Sequence, residues 1–413
     1  MTSKITAALR GRRYDLEIRS LAMHPESAEL RAKANRFYVA GDFQRALESL
    51  ITVVNGNRRS GEVTAHDFRV LALCYQAVGD LKQAYMAWRD AHALEPDDAV
   101  TKSNLALVAA KCGKADEAVK LAEEAVKARP RDANCWTILA NVQFRLGRLE
   151  EARQAGLRSL KIKDESSGPA RHPIHVNVPP FETTDPRRNV IAYSLWGTKD
   201  RYLVGAERNA MAAPLIYEGW SCRFYIDETV PQQNRRRLID LGADLVMMPR
   251  PNVAFAGLFW RFLVANDPTV DRYLVRDADS IVNVRERVAV DDWIASGRHF
   301  HVMRDFWTHT GVMLAGLWGG VCGALPPLVP LIETFLADNP EYPERTLDQR
   351  FLREAIWPIV RQSALVHDSV FRFGGAIDFP RFGRRASGCH VGQNDASEPR
   401  SGGRELPAPG AGF

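Results

Sequence analysis

The spacing of apolar and polar positions changes character once along the chain. From residue 27 to 163 small apolar residues recur at helical spacing, and the same marks return at a fixed step. Gly79-Asp80-Leu81, Gly113-Lys114-Ala115 and Gly147-Arg148-Leu149 lie 34 residues apart, as do Ala84, Ala118 and Ala152. Leu71-Ala72, Leu105-Ala106 and Leu139-Ala140 hold the same register, and Pro96 and Pro130 keep the step. An earlier unit, Gly41-Asp42-Phe43 with Ala46, stands 38 residues before the first of these, with a longer loop over Asn55 to Gly61. Each unit predicts a helical hairpin. The glycine ends the first helix, the alanine marks close packing of the second on the first, and the proline opens the loop to the next unit.

Beyond residue 188 apolar runs alternate with helical patterns. Val190–Leu195, Arg223–Asp227, Asp244–Met248 and Arg272–Arg276 predict buried strands. Residues 202–217, Gln233–Leu241 and Leu258–Ala265 predict helices between them. This alternation implies an α/β domain with a mainly parallel sheet. Ligands of such sheets bind beyond the carboxyl ends of the strands. Residues 164–187, rich in Pro, Ser and Gly, predict a linker, residues 396–413 a disordered tail, and residues 1–26 a tail or capping helix. Thr310 to Ile332 carries no charge for 23 residues, enough to span a bilayer. Its many Gly and Pro residues instead predict buried strand and loop, so no transmembrane segment is expected.

A 34-residue period resembles the tetratricopeptide repeat family, and the four registered units imply an α-solenoid that binds a protein partner. Composition adds constraints. The chain has 413 residues, 46% hydrophobic and 25% charged, which fits two or three globular domains at roughly 150 residues each and excludes a wholly disordered chain. Its six cysteines form no C-x-x-C pair, which excludes a sequence-supported zinc or redox motif and suggests a reducing, cytoplasmic setting. A net charge of +5 spread over this length, without an aromatic-interleaved basic patch, points away from nucleic acid.

The candidate chemistry sits where the fourth strand ends, at Arg276-Asp277-Ala278-Asp279-Ser280. Two carboxylates separated by one residue at a strand-to-loop turn converge on a hard cation, Mn²⁺ or Mg²⁺, which keeps coordination sites for phosphate oxygens. The bland alternative is a solvated turn capping the next helix. Residues 188–395 are similar to nucleotide-sugar-dependent glycosyltransferases of the GT-A fold, family-8-like members in particular. The likeness rests on Tyr193–Gly197, Tyr202, Gly205 and Asn209, on Phe259–Ala265, on the Arg-Asp-Ala-Asp-Ser block, on Trp293–Gly297, on His301–Asp305 with His309, and on Leu317–Gly320.

This resemblance implies a metal held by Asp277 and Asp279 with His390, or else His367, as third ligand. It implies a donor site drawing on Trp196, Asp227, Arg261, Arg276, Asp277, Trp318 and Gly319. Arg261 either faces the donor or forms a salt bridge under the sheet. Trp318-Gly319 either stacks on a sugar or turns a tight bend in the core. Asp348, in a D-Q element, and Asp305 are the candidate bases for an acceptor hydroxyl; Asp348 could equally be a helix N-terminal charge. No glycine-rich phosphate loop and no serine elbow is present, which excludes dinucleotide-dehydrogenase, P-loop and serine-hydrolase readings. The expectation is a tetratricopeptide α-solenoid followed by a GT-A-like α/β domain that moves a sugar from a nucleotide sugar to a protein or glycan acceptor. The rivals are a scaffold with a catalytically inactive second domain, and a nucleotidyl- or phosphotransferase.

Overall fold

A computed structural model describes residues 25–39, 42–57, 63–170, 172–249, 256–339, 346–380 and 390–393. The expected disordered tail lies outside these residues, as does the N-terminal segment up to residue 24. The chain divides into two compact units, residues 1–162 with 340–344, and residues 163–339 with 345–413.

The first unit is helical: α1 Pro25–Val39, α2 Phe43–Asn57, α3 Ala65–Val78, α4 Leu81–Leu94, α5 Ala99–Lys111, α6 Ala115–Ala128, α7 Ala133–Arg145 and α8 Leu149–Ser166, whose last turn runs into the second unit. Consecutive helices pair as hairpins, as the 34-residue register requires. Gly79, Gly113 and Gly147 follow α3, α5 and α7 with φ of +88°, +77° and +73°, the left-handed conformation that only glycine takes without strain. Ala46, Ala84, Ala118 and Ala152 are fully buried, because the paired helices approach too closely for a longer side chain. Asp98 and Asp132 cap α5 and α7 through their side chains, and Thr64 and Asp67 form a reciprocal capping box on α3. The linker expected from residue 164 begins later than its composition suggested, since α8 continues to Ser166.

The second unit is built on a seven-stranded sheet of β1 Asn189–Leu195, β2 Ser221–Ile226, β3 Asp244–Met247, β4 Arg272–Val275, β5 Phe300–Arg304, β6 Trp318–Val321 and β7 Ala364–Asp368, in the order β3-β2-β1-β4-β6-β5-β7. Strands β1 to β4 are parallel, in register from Val190 opposite Ser221 and Asn189 opposite Arg272. Strand β5 is parallel to β7, whereas β6 runs antiparallel to both β4 and β5. The sheet is therefore mixed. Helices α9 Asp200–Ile216, α10 Gln232–Asp240 and α11 Val284–Ser296 connect strands, followed by α12 Leu328–Asp338, α13 Leu347–Phe351 and α14 Trp357–Val360.

Two local expectations change. Residues Ala256–Asn266 form a 3₁₀ segment rather than an α-helix, and the Arg261 amide there donates to the Ser194 hydroxyl on β1 at 3.0 Å. The uncharged stretch from Thr310 holds β6 and then, beyond Pro326-Pro327, the start of α12. No helix among the described residues is long and apolar enough to cross a membrane.

Candidate functional site

Because β1, β2 and β4 are parallel, their carboxyl ends share one edge of the sheet, and the loop after β4 carries Asp277 and Asp279 there. Helix α9 holds that loop. Gly205 faces it so closely that a Cβ would collide with the Ala278 carbonyl and stand 2.9 Å from the Asp279 Cα. One turn later, the buried Asn209 donates to the carbonyls of Ala278 (3.2 Å) and Ser280 (3.0 Å) and accepts from the Val282 amide at 3.0 Å. The bent segment thus has its backbone groups satisfied by one amide side chain. Asn209, one of the residues on which the resemblance rests, is a positioning residue, a role that its apolar neighbours on the buried face of α9, Leu203, Ala206, Ala210 and Ala213, give no sign of.

Arg261, on the 3₁₀ segment and buried, joins the carboxylates. Its Nη1 donates to Asp277 and to the Arg276 carbonyl (3.0 Å), and its Nη2 donates to Asp348 Oδ2 at 3.0 Å. Its Nε is also buried and has no hydrogen-bond partner. Asp277 keeps half its side chain exposed, 47%, while Asp348 is buried. Burial pushes the Asp348 carboxyl up to about 6; Arg261 opposes the shift and the Asp277 charge adds to it. Gly316 lies against the Asp277 carboxylate, where any side chain would collide. Asp279 pairs with Arg201 at the start of α9, and its carboxyl is raised by burial and by the neighbouring Asp277 charge. Arg201 was not foreseen; an exposed arginine in a first helical turn carries no distinguishing pattern.

Other expected site residues are used structurally. Arg276 turns its guanidinium away from the loop, to Glu286 at 2.5 Å and the Trp318 carbonyl at 3.0 Å, with Tyr217 completing the buried cluster. It therefore offers a ligand no charge, contrary to the expectation. Trp318 and Gly319 lie in the middle of the sheet. The indole packs edge-on to Phe262 and Tyr273, and Gly319 leaves room for Leu274 and the Tyr273 carbonyl, so the tight core packing is found and not a sugar platform. Asp305 is fully buried. Arg285 binds it at 3.2 and 3.0 Å and the Val391 amide donates to it at 3.2 Å, which commits that carboxylate to holding two segments together rather than to base catalysis. Asp227 accepts from the Thr229 amide at 3.0 Å and from its hydroxyl, and that hydroxyl accepts from the Gly197 amide at 2.6 Å. This ties the ends of β1 and β2 together. Trp196 is partly exposed beyond β1, edge-on to Trp260, and remains a candidate stacking surface.

The three-ligand set is not assembled. His390 stacks on Phe306 with centroids 4.3 Å apart and lies 5.0 Å from His309. His367 is buried, 2.8 Å from His301. Among the described residues no group of three or more His, Cys, Asp or Glu side chains is arranged to hold a metal ion. What Asp277 and Asp279 do offer is a pair of hard oxygen donors, with Asp279 raised by burial first and by the Asp277 charge second. That donor set fits Mg²⁺ or Mn²⁺ held jointly with substrate phosphates, and does not fit an all-protein cage.

Residues 103–167 match the tetratricopeptide repeat family model. Among curated proteins, none matches the sequence. The solved structures similar to this chain include three of different proteins. An O-GlcNAc transferase mutant of Thermobaculum terrenum is 16% identical, covering 61% of this chain and 46% of its own, with a TM-score of 0.43. MamA from Desulfovibrio magneticus RS-1 is 18% identical, covering 35% and 84%, with a TM-score of 0.31. A tetratricopeptide repeat protein from Parabacteroides merdae is 17% identical, covering 34% and 54%, with a TM-score of 0.31.

Proposed function

We propose that the second unit is a metal-dependent glycosyltransferase, moving a sugar from a UDP- or GDP-linked donor to a hydroxyl acceptor, and that the tetratricopeptide repeats bind a protein partner or the acceptor. The observation that carries this reading is the buried Arg261 fork between Asp277 and Asp348 at the carboxyl edge of the sheet, beside the second carboxylate of the Asp-Ala-Asp turn. A divalent cation bound at Asp277 and Asp279 would neutralise charge on the departing diphosphate. Asp348, whose carboxyl is poised near neutrality, accepts the proton of the acceptor hydroxyl. The acceptor oxygen bonds to the anomeric carbon as that carbon's bond to the diphosphate oxygen breaks, and the nucleoside diphosphate leaves with the electron pair. Arg261 fixes Asp348 in orientation, and Gly316 leaves space beside Asp277.

The test is transfer or hydrolysis of a panel of nucleotide sugars with Mn²⁺. Asp348→Asn is expected to lower kcat by about 10²-fold or more, the usual worth of a positioned base. Asp279→Ala is expected to abolish the Mn²⁺ dependence. Equal rates in all three proteins would sink the reading. A second reading has its own support, because both carboxylates are already paired with arginines: a scaffold whose second unit binds no donor. Calorimetry showing no nucleotide bound with or without Mn²⁺ would favour it.

A further inference from the structure

Two arginines neutralise the Asp-Ala-Asp turn, and they differ in freedom. Arg261 is 4% exposed at its side chain and is held by Asp277, Asp348 and a backbone carbonyl, so it has nowhere to go. Arg201 is 49% exposed, and its partner Asp279 is only 11% exposed. The Arg201 guanidinium lies over the Tyr202 ring at 4.5 Å and spends one nitrogen, Nη2, on Asp279 and the Tyr202 hydroxyl. Asp279 cannot follow Arg201, because Gly205 and Asn209 pin the turn that carries it.

We propose that Arg201 is an exchangeable counter-ion. It guards Asp279, and it releases that carboxylate to a divalent cation and turns its own guanidinium to the diphosphate of the nucleotide. A planar, permanently charged fork suits that second partner as well as it suits the carboxylate. The stacked Tyr202 ring gives it a surface to pivot on while keeping the apolar part of the side chain covered. The exchange keeps the local charge nearly balanced in both states, so neither state buries an uncompensated carboxylate. This inference rests on the glycosyltransferase reading and assigns Arg201 a role in donor binding within it.

The test measures Mn²⁺ alone by electron paramagnetic resonance, then UDP and GDP with saturating Mn²⁺ by calorimetry, on full-length wild type, Arg201→Gln and Arg201→Lys. Thermal unfolding checks that all three are folded. Arg201→Gln should bind Mn²⁺ alone roughly fivefold more tightly, since the internal competitor is gone, and should bind the nucleotide–Mn²⁺ pair about tenfold more weakly, since the phosphate contact is gone. Arg201→Lys should recover part of the nucleotide affinity as a point charge. Unchanged or weaker Mn²⁺ binding in Arg201→Gln overturns the exchange, and so does unchanged nucleotide binding. Wild type that binds Mn²⁺ but neither nucleotide overturns both the exchange and the transferase reading. Wild type that binds UDP or GDP with an Arg201→Gln variant that behaves identically overturns the exchange alone.

Discussion

At the scale of single residues, the site turns on carboxylates whose partners decide their chemistry. Asp305 and Asp348 are both buried acids, and composition and spacing could not separate them. Asp305 meets a bidentate arginine and a backbone amide; Asp348 shares its arginine with Asp277. Burial pushes Asp348 up, from an ordinary 3.8 to about 6. The sign of the consequence follows. A carboxyl that binds its proton more tightly when folded than when unfolded stabilises the fold below the unfolded value, and that contribution is lost as pH rises through the folded value. Between pH 4 and 6.5 the protein should therefore lose stability on the order of 2 kcal/mol from this group as pH rises. Over the same window activity should rise, because the base form appears. Denaturant titrations across that range, repeated on Asp348→Asn, check the claim. A variant whose stability falls with pH as steeply as the wild type would show that Asp348 keeps an ordinary value.

At the scale of elements, what was legible depended on whether an element's signal was local. The hairpins that begin with α3, α5 and α7 were readable because they reuse the same local devices: a glycine past the first helix, an alanine at the close contact, and a proline or acidic cap between units. Strands β1, β2 and β4 were readable because buried parallel strands are continuous apolar runs; Asp244–Met247, expected to be buried as well, forms β3 at the edge of the sheet with Asp244 and Met247 exposed. The region after β4 was harder. Trp318-Gly319-Gly320-Val321 is a strand only because Tyr273, Leu274 and Phe300 crowd it from both neighbours, and those contacts are made across the sheet. The 3₁₀ segment around Arg261 likewise answers to Ser194 on β1. For the same reason Asp277 and Asp279 were found from their position after β4, whereas Arg276 was misread, its Glu286 partner lying on the next helix. The repeat logic makes a prediction of its own. Ala118→Leu, at the fully buried contact in α6, should destabilise the first unit by about 1–3 kcal/mol through overpacking. Lys120→Leu, exposed two residues later, should change it by less than about 0.5 kcal/mol. Similar losses in chemical denaturation for both would contradict the alanine's assigned role.

At the scale of the whole molecule, each unit carries its own buried core. The core of the first is drawn from residues between Ala34 and Ala155, and that of the second is built on its seven strands. Two such cores predict two unfolding transitions, and the proposed site assigns ligand to only one of them. A nucleotide at 100-fold excess over its dissociation constant stabilises the state that binds it by about 2.7 kcal/mol. For a unit of this size each kcal/mol raises the midpoint by roughly 2–4 °C, so a rise of about 5–10 °C is expected for the transition of the second unit in Mn²⁺ with the matching nucleotide. The transition of the solenoid should stay within about 1 °C, since it gains no ligand. Differential scanning calorimetry assigns the two transitions through Ala118→Leu, which lowers the first alone. If nucleotide and Mn²⁺ moved the transition that Ala118→Leu marks and left the other in place, the ligand site would belong to the repeats, and the Asp277–Asp279 turn would be only a structural corner of the sheet.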